Sequence, residues 1–272
     1  MNIQIYSDNV SANHILYYAL ARLCGKKNVC FVNAHEILNG SLTANVDLLV
    51  MPGGASRYKT DKLNGAANRL IKSYVERGGR YLGICGGAYM ACKTTKWAQG
   101  LPHEIITENE LGFFPGAAIG PVEPFGRGDN YNQTDAHLVT LEYQGKPIDS
   151  LYLGGCIFLP DAPTCSDKIS HEASDDRVSD DKKNNDKIRG YEILASFADL
   201  PEKPAAIVAG QYGQGLWLLC STHPEYDNQA IELVDFDVIG NQYQHFSQLP
   251  DDTDLSLQLL KKLLTKLNLP CC

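Results

Sequence analysis

No stretch of this chain approaches the ~20 consecutive apolar residues that a membrane-crossing helix needs. Its first residues, Met1-Asn2-Ile3-Gln4-Ile5-Tyr6-Ser7-Asp8, also lack the basic start and long apolar run of a secretory leader. Positive charge is scarce: Lys and Arg number 24 against 32 Asp and Glu, a formal net charge of −8, and no dense basic stripe occurs. That excludes nucleic acid and anionic membrane surfaces as expected partners. A disulfide framework is missing too. The nine cysteines, an odd number, are scattered through strand-like and helix-like segments. Such usage fits a reducing compartment, so a soluble, cytoplasmic protein is expected, and the sequons at Asn39-Gly40-Ser41 and Asn132-Gln133-Thr134 count as chance matches. Metal-ligand spacings are absent as well: Cys30 with His35 and Cys165 with His171 fit no common zinc pattern, Cys271-Cys272 is a terminal pair, and Asp175-Asp176 with Asp180-Asp181 do not follow a calcium loop. No metal and no cofactor is expected. With no internal repeat and no linker, residues 1–272 read as a single domain with ample core.

What is present is an alternation of short apolar runs and helical patterns. Asn2 to Tyr6, Val29 to Val32 and Val46 to Met51 read as strands. Ser11 to Leu23 reads as a helix capped by Ser11, and Asp61 to Arg77 as a helix stopped by Gly78-Gly79. Strands this continuously apolar argue for a parallel sheet covered on both faces, where ligands collect at the strands' carboxyl ends. Beyond Lys96 come shorter strand candidates, His137 to Tyr143, Ser150 to Gly154, Tyr191 to Phe197, Ala205 to Ala209 and Leu216 to Cys220, which read as hairpins appended to that core. The expected fold is therefore α/β, a flavodoxin-like, doubly wound, mostly parallel sheet with added β-hairpins. Residues 161–190, dense in Asp, Lys, Asn and Ser, read as a polar surface insertion. Thr253 to Leu267 carries leucines at 255, 257, 259, 260, 263, 264 and 267, a wide apolar stripe for packing on the sheet.

The richest chemistry lies at Tyr81-Leu82-Gly83-Ile84-Cys85-Gly86-Gly87, where a buried-strand pattern breaks at a glycine-flanked cysteine and passes into the helix-like Ala88 to Cys92. A sharp strand-to-helix turn needs small neighbours and lifts its apex side chain to the sheet edge, and a helix start behind the sulfur favours thiolate. Far along the chain, His223-Pro224-Glu225 sets an imidazole and a carboxylate two residues apart, hence on one side of an extended segment. Thiol, imidazole and carboxylate together are the components of a cysteine-nucleophile triad. Each also has a plainer reading: a lone buried cysteine usually packs as a small hydrophobe, and His-Pro-Glu alone is a surface turn. The Gly53-Gly54 turn serves either as a sharp bend or as an oxyanion site. Phe113, Phe114 and Pro115 suit a pocket wall or the core, and Tyr89 suits a pocket hydroxyl or helix packing. Asp8, Asn9 and Ser11 sit where they approach the same sheet edge or cap the first helix.

Gly83-Ile84-Cys85-Gly86-Gly87, Gly53-Gly54 and His223-Pro224-Glu225, in this order, resemble the class I glutamine amidotransferase-like superfamily. Met51-Pro52-Gly53-Gly54-Ala55, Leu111-Gly112-Phe113-Phe114-Pro115-Gly116, Tyr152-Leu153-Gly154-Gly155 and Tyr191-Glu192-Ile193-Leu194-Ala195 narrow the resemblance to the N-terminal domain of eukaryotic-type biotin–protein ligases. The resemblance implies that Cys85 attacks a carbonyl, His223 moves the proton, Glu225 orients His223, and amides of Gly53 or Gly54 and of Gly86 hold the oxyanion. Tyr89 stands where amidotransferases carry the glutamine that holds substrate, so glutamine is not the expected substrate. No Gly-Arg-Gly-Arg-like loop is present, so these residues are not expected to ligate biotin by themselves. The expected function is amide hydrolysis or acyl transfer through a cysteine thioester, on a small amide or acyl substrate and with a protein partner as a further component. The competing expectation is a non-catalytic regulatory or binding module of the same fold, acting with a partner such as a biotin ligase.

Overall fold

The computed structural model describes residues 1–8, 13–126, 136–161, 190–233 and 255–270. Its first half alternates as the apolar runs require: β1 (Ile3–Tyr6), α1 (Asn13–Cys24), β2 (Val29–Val32), α2 (Ala34–Leu38), β3 (Leu48–Met51), α3 (Ser56–Leu63), α4 (Ala66–Glu76) and β4 (Arg80–Ile84). A single helical turn, α5 (Gly86–Tyr89), follows the elbow. Next come β5 (Cys92–Trp97), β6 (Ile105–Glu108), β7 (Phe114–Gly120), β8 (His137–Tyr143), β9 (Lys146–Tyr152), β10 (Ile157–Pro160), β11 (Tyr191–Phe197), β12 (Ala205–Tyr212) and β13 (Gly215–Cys220), then α6 (Asn228–Leu233) and α7 (Gln258–Lys266).

The strands among the described residues join one 13-stranded sheet. Its parallel part runs β2-β1-β3-β4-β13, the flavodoxin-like order with β13 in the fifth place. β12 then pairs antiparallel with β13, and the sheet continues through β10, β7, β5 and β6. The β8–β9 hairpin is attached through β11. The fold class is thus the expected α/β one.

The parallel strands are apolar on both faces because both faces are covered. Ile3, Ile5, Leu48, Val50, Leu82, Ile84 and Leu218 pack on one side with Leu16, Ala19 and Leu20 of α1 and with Leu259, Leu260, Leu263 and Leu264 of α7. Each such buried leucine contributes roughly 1.5–3 kcal/mol relative to exposure. The intervening residues Leu49, Met51, Tyr81, Trp217 and Leu219 face the other way, onto Ala67, Ile71, Tyr74 and Val75 of α4. Strand alternation and helical i, i+4, i+8 spacing therefore meet in register.

Several boundaries differ from the expectation. The helix anticipated over 61–77 is two helices, divided at Asn64-Gly65, where Gly65 takes φ 85. The helix after the elbow stops at Tyr89, because Cys92 already pairs with Phe114 as the start of β5. Four strands, β5, β6, β7 and β10, were absent from the sequence reading. The β7 segment Phe114-Pro115-Gly116-Ala117-Ala118-Ile119-Gly120 contains Pro and Gly, which argue against a strand until neighbours on both sides supply its partners. Most of the polar insertion, the expected Ser11 cap, Cys165, His171 and Cys271-Cys272 lie outside the described residues. Phe113 and Phe114 belong to the core: Phe113 meets Tyr81 and Tyr212 edge-on, with centroids 5.2 and 5.3 Å away, and Phe114 meets Phe158, Tyr191 and Trp217. Cys30, Cys85, Cys92, Cys156 and Cys220 are free thiols. Among the described residues no helix is long and apolar enough to cross a membrane, and no group of three or more His, Cys, Asp and Glu is placed to hold a metal ion.

The elbow turn packs hard against β3. A Cβ built on Gly87 would lie 2.0 Å from the Met51 carbonyl oxygen, so main chain would have to move to admit it. Gly87→Ala is expected to lower unfolding free energy by about 1–3 kcal/mol. Urea unfolding should show this as a fall in midpoint with the slope unchanged.

Candidate active site

β3, β4 and β13 are adjacent and parallel, so their carboxyl ends deliver three segments to one place: Pro52-Gly53-Gly54, Cys85 and the run Ser221 to Glu225. Cys85 still belongs to the sheet through its N–H, which donates to the Cys220 carbonyl at 2.8 Å. Its own carbonyl already accepts from Ala88 and Tyr89 at 2.8 and 3.0 Å. Passing from ladder to helix within one residue forces φ to 46 and ψ to −108. Such a backbone costs a non-glycine residue about 1–3 kcal/mol and persists only where the surroundings impose it. The N–H groups of Gly86 and Gly87, first in the turn, have no acceptor within it.

His223 is held by its backbone, which donates to the Leu151 carbonyl at the end of β9 at 2.7 Å. The preceding hydroxyls are committed as well: Thr222 meets Ser150 at 2.8 Å, and Ser221 accepts from the Cys156 N–H at 2.9 Å. Downstream, Asp227 accepts both arms of Arg22 from α1, at 2.8 and 2.9 Å, and the Ala230 N–H at 2.8 Å, which fixes the exit into α6. Between these anchors the buried carboxylate of Glu225 pairs with Nδ1 of the buried imidazole at 2.8 Å. The other carboxylate oxygen, Oε2, has no hydrogen-bond partner among the described residues.

With Nδ1 given to Glu225, the ring keeps its other nitrogen for another partner, and Cys85 lies close enough for its charge to act on the imidazole. Burial alone would push the imidazole's pKa down. The charges of Glu225 and Cys85 outweigh burial and raise it from 6.5 to about 10, so the ring holds its proton readily. The Cys85 sulfur also approaches the Leu153 and Gly154 carbonyls, at 3.5 and 3.9 Å. Tyr89, buried, donates to the Gly155 carbonyl at 2.8 Å, with Gly154 O at 3.3 Å, and so ties this carbonyl loop to the turn that follows the nucleophile.

The glycine turn closes the site. A Cβ on Gly53 would come within 2.5 Å of the imidazole Cε1, so His223 lies directly on the Gly53 main chain. A Cβ on Gly86 would be 1.7 Å from the Gly54 carbonyl oxygen. The structure therefore brings together Cys85, His223, Glu225, Gly53, Gly54, Gly86 and Tyr89, the residues to which the sequence assigns the triad, the oxyanion and the substrate position. Asp8 is engaged elsewhere, accepting the Ala34 N–H at 2.6 Å, and Asn9 and Ser11 lie outside the described residues.

This geometry has relatives. A family model described as "Biotin-protein ligase, N terminal" matches residues 1–272. The chain belongs to the biotin–protein ligase N-terminal family. Within curated proteins it is 28% identical to an "Uncharacterized protein" of Chlamydia muridarum (strain MoPn / Nigg) over 276 residues, covering 97% of both chains. It is 26% identical to the "Biotin--protein ligase" of Schizosaccharomyces pombe (strain 972 / ATCC 24843) over 249 residues, covering 86% of this chain and 35% of that one. The chain thus spans about a third of the ligase's length. A solved glutamine amidotransferase superposes with a TM-score of 0.51 at 19% identity, covering 83% of this chain and 91% of the other, a likeness of fold.

One residue of this family member's site escaped the sequence reading. Lys59 is fully buried and donates to the Gly53 and Gly54 carbonyls at 2.7 and 3.0 Å. In the sequence the helical pattern begins at Asp61, so Lys59, five residues after Gly54, reads as loop.

Two pH-dependent contributions follow, opposite in sign. His223 keeps a proton in the folded state that the unfolded chain sheds above 6.5, so its stabilisation is complete below that pH and is lost as pH climbs through about 10. Lys59, lowered from 10.5 to about 7 chiefly by burial, gives stability that rises over about pH 7 to 10.5. Comparing wild type with His223→Gln isolates the first contribution. The variant's unfolding free energy is expected to fall less steeply from pH 6.5 to 10, and parallel curves would contradict the His223 assignment.

Proposed function

We propose that Cys85, His223 and Glu225 form a working nucleophilic centre that cleaves or transfers an acyl group through a cysteine thioester. The observation that carries this reading is an imidazole paired with a carboxylate through Nδ1 and within electrostatic reach of Cys85, which stands at a strained elbow. Family membership and fold fit it.

In the proposed reaction His223 takes the thiol proton, and the sulfur's electron pair forms a C–S bond to the substrate carbonyl carbon. The carbonyl oxygen becomes an oxyanion, opposite which the site offers main-chain N–H groups of Gly86 and of the Gly53-Gly54 turn. Collapse breaks the C–N bond, and the His223 proton leaves with the amine. Water, or a nitrogen nucleophile from a partner protein, then attacks the thioester. His223 takes the incoming proton and returns it to the sulfur. Glu225 keeps the ring in the tautomer that points its second nitrogen at Cys85 throughout. Tyr89 is buried and spent on the Gly155 carbonyl, which favours an acyl donor other than glutamine.

A second reading has its own support. Because the family also forms a third of a full-length ligase, this chain would serve as a regulatory or binding module beside a biotin ligase, with Cys85 lining a pocket.

Incubation with a panel of small amides and biotin-related compounds, followed by intact-protein mass spectrometry, should trap an acyl adduct that disappears in Cys85→Ala. His223→Ala should lower turnover roughly 10²–10⁴-fold. It should also slow iodoacetamide labelling of Cys85, followed by peptide mapping because Cys30 is exposed. Labelling of Cys85 at the same rate with and without His223 would favour the module over the enzyme.

A further inference from the structure

A lysine with no exposed surface is rare, because an unpaired ammonium loses its hydration on burial. Lys59 is in this position although its neighbours on α3, Arg57, Tyr58, Asp61 and Lys62, are exposed. Its ammonium lies beneath the Gly53-Gly54 turn, whose other side, Gly54 and Ala55, is open to solvent. A Cβ built on Gly86 would be 3.2 Å from Nζ, so the charge also sits against the residue that follows the nucleophile.

We propose that Lys59 is a positioning residue of this centre, fixing both peptide planes of the Gly53-Gly54 turn and setting a positive charge beside the Cys85 elbow; this rests on Cys85 being the nucleophile. The planar trans peptide opposes its N–H to its C=O. Carbonyls of Gly53 and Gly54 drawn down to the ammonium therefore turn the N–H groups of Gly54 and Ala55 away from it, toward the open side. Flipping either plane would strand a buried charge, so the lysine selects one orientation of the turn. The same charge offsets the negative charge of the thiolate and of the oxyanion formed next to it. The titratable group facing Lys59 from the elbow is Cys85, whose charge favours the ammonium, and the glycine turn contributes none. Burial works against the ammonium and brings its midpoint to about 7, within reach of ordinary assay conditions.

The test compares iodoacetamide labelling of Cys85 in wild type, Lys59→Met and Lys59→Gln from about pH 5 to 9, each variant checked for folding by circular dichroism. Loss of the charge is expected to slow labelling about tenfold below neutral pH in Lys59→Met and to move the profile's rise upward. Lys59→Gln, which restores a donor without the charge, is expected to recover turnover more than labelling. Folded variants with the wild-type rate and profile would overturn the proposal. Should neither variant fold, lysine-¹³Cε NMR of the wild-type chain and Cys85→Ser decides: a lysine resonance titrating near neutral pH is expected to shift lower in Cys85→Ser, and its absence or immobility overturns the proposal. A His223→Ala chain labelled at the wild-type rate would instead remove the nucleophile reading itself, whatever Lys59 does.

Discussion

Close approach of main chain to side chain at three neighbouring strand ends is the constraint from which the rest of this site follows. The His223 ring rests on the Cα of Gly53, and the Gly54 carbonyl rests on the Cα of Gly86; neither contact tolerates a methyl group. Parallel pairing of β3, β4 and β13 makes these contacts unavoidable, because strand ends in one sheet are about 4.8 Å apart and each must turn away at once. Glycine lets the outer turn bend into that space. At the centre, where chemistry requires a side chain, the chain accepts a cysteine at positive φ instead.

That strain has to be held, and the polar contacts around the site show how. Cys85 is tied into the ladder on its amino side and into α5 on its carboxyl side. The segment bearing His223 is pinned at Ser221, Thr222, its own N–H and Asp227. Arg22 makes the last of these a contact between α1 and the site's exit, so the layer that covers the sheet also orients the imidazole's partner. Anchoring of this density keeps the groups within hydrogen-bond reach without a ligand to organise them.

Much of this was legible in the amino-acid order. Strands buried on both faces declare themselves as continuous apolar runs, which is why β1 to β4 and β13 were placed within a residue or two. The elbow was readable because few other reasons put Gly83, Gly86 and Gly87 around a cysteine at a strand end. The strands β5, β6, β7 and β10 were not readable, since β7 carries Pro115 and Gly116 and becomes a strand only through β5 and β10 on either side. Lys59 was invisible for a related reason. A lysine in a charged stretch, Arg57 to Lys62, is ordinarily solvated, and only the three-dimensional position of the Gly53 and Gly54 carbonyls makes burial tolerable.

Charge balance gives the arrangement its internal logic. Counted as ionised, Glu225, His223, Cys85 and Lys59 sum to zero inside a volume from which water is largely excluded. A carboxylate–imidazolium pair is neutral by itself, so a thiolate added to it leaves one negative charge uncompensated. Lys59 supplies the missing cation, bonded to the Gly53 and Gly54 carbonyls and so held from collapsing onto the sulfur as a contact ion pair. When the proposed thioester forms, the thiolate's charge disappears and the His223 proton leaves with the amine, so Glu225 and Lys59 still balance. The lysine's positive charge is, on this reasoning, what lets a buried four-group centre stay close to electroneutral at every step of acyl transfer.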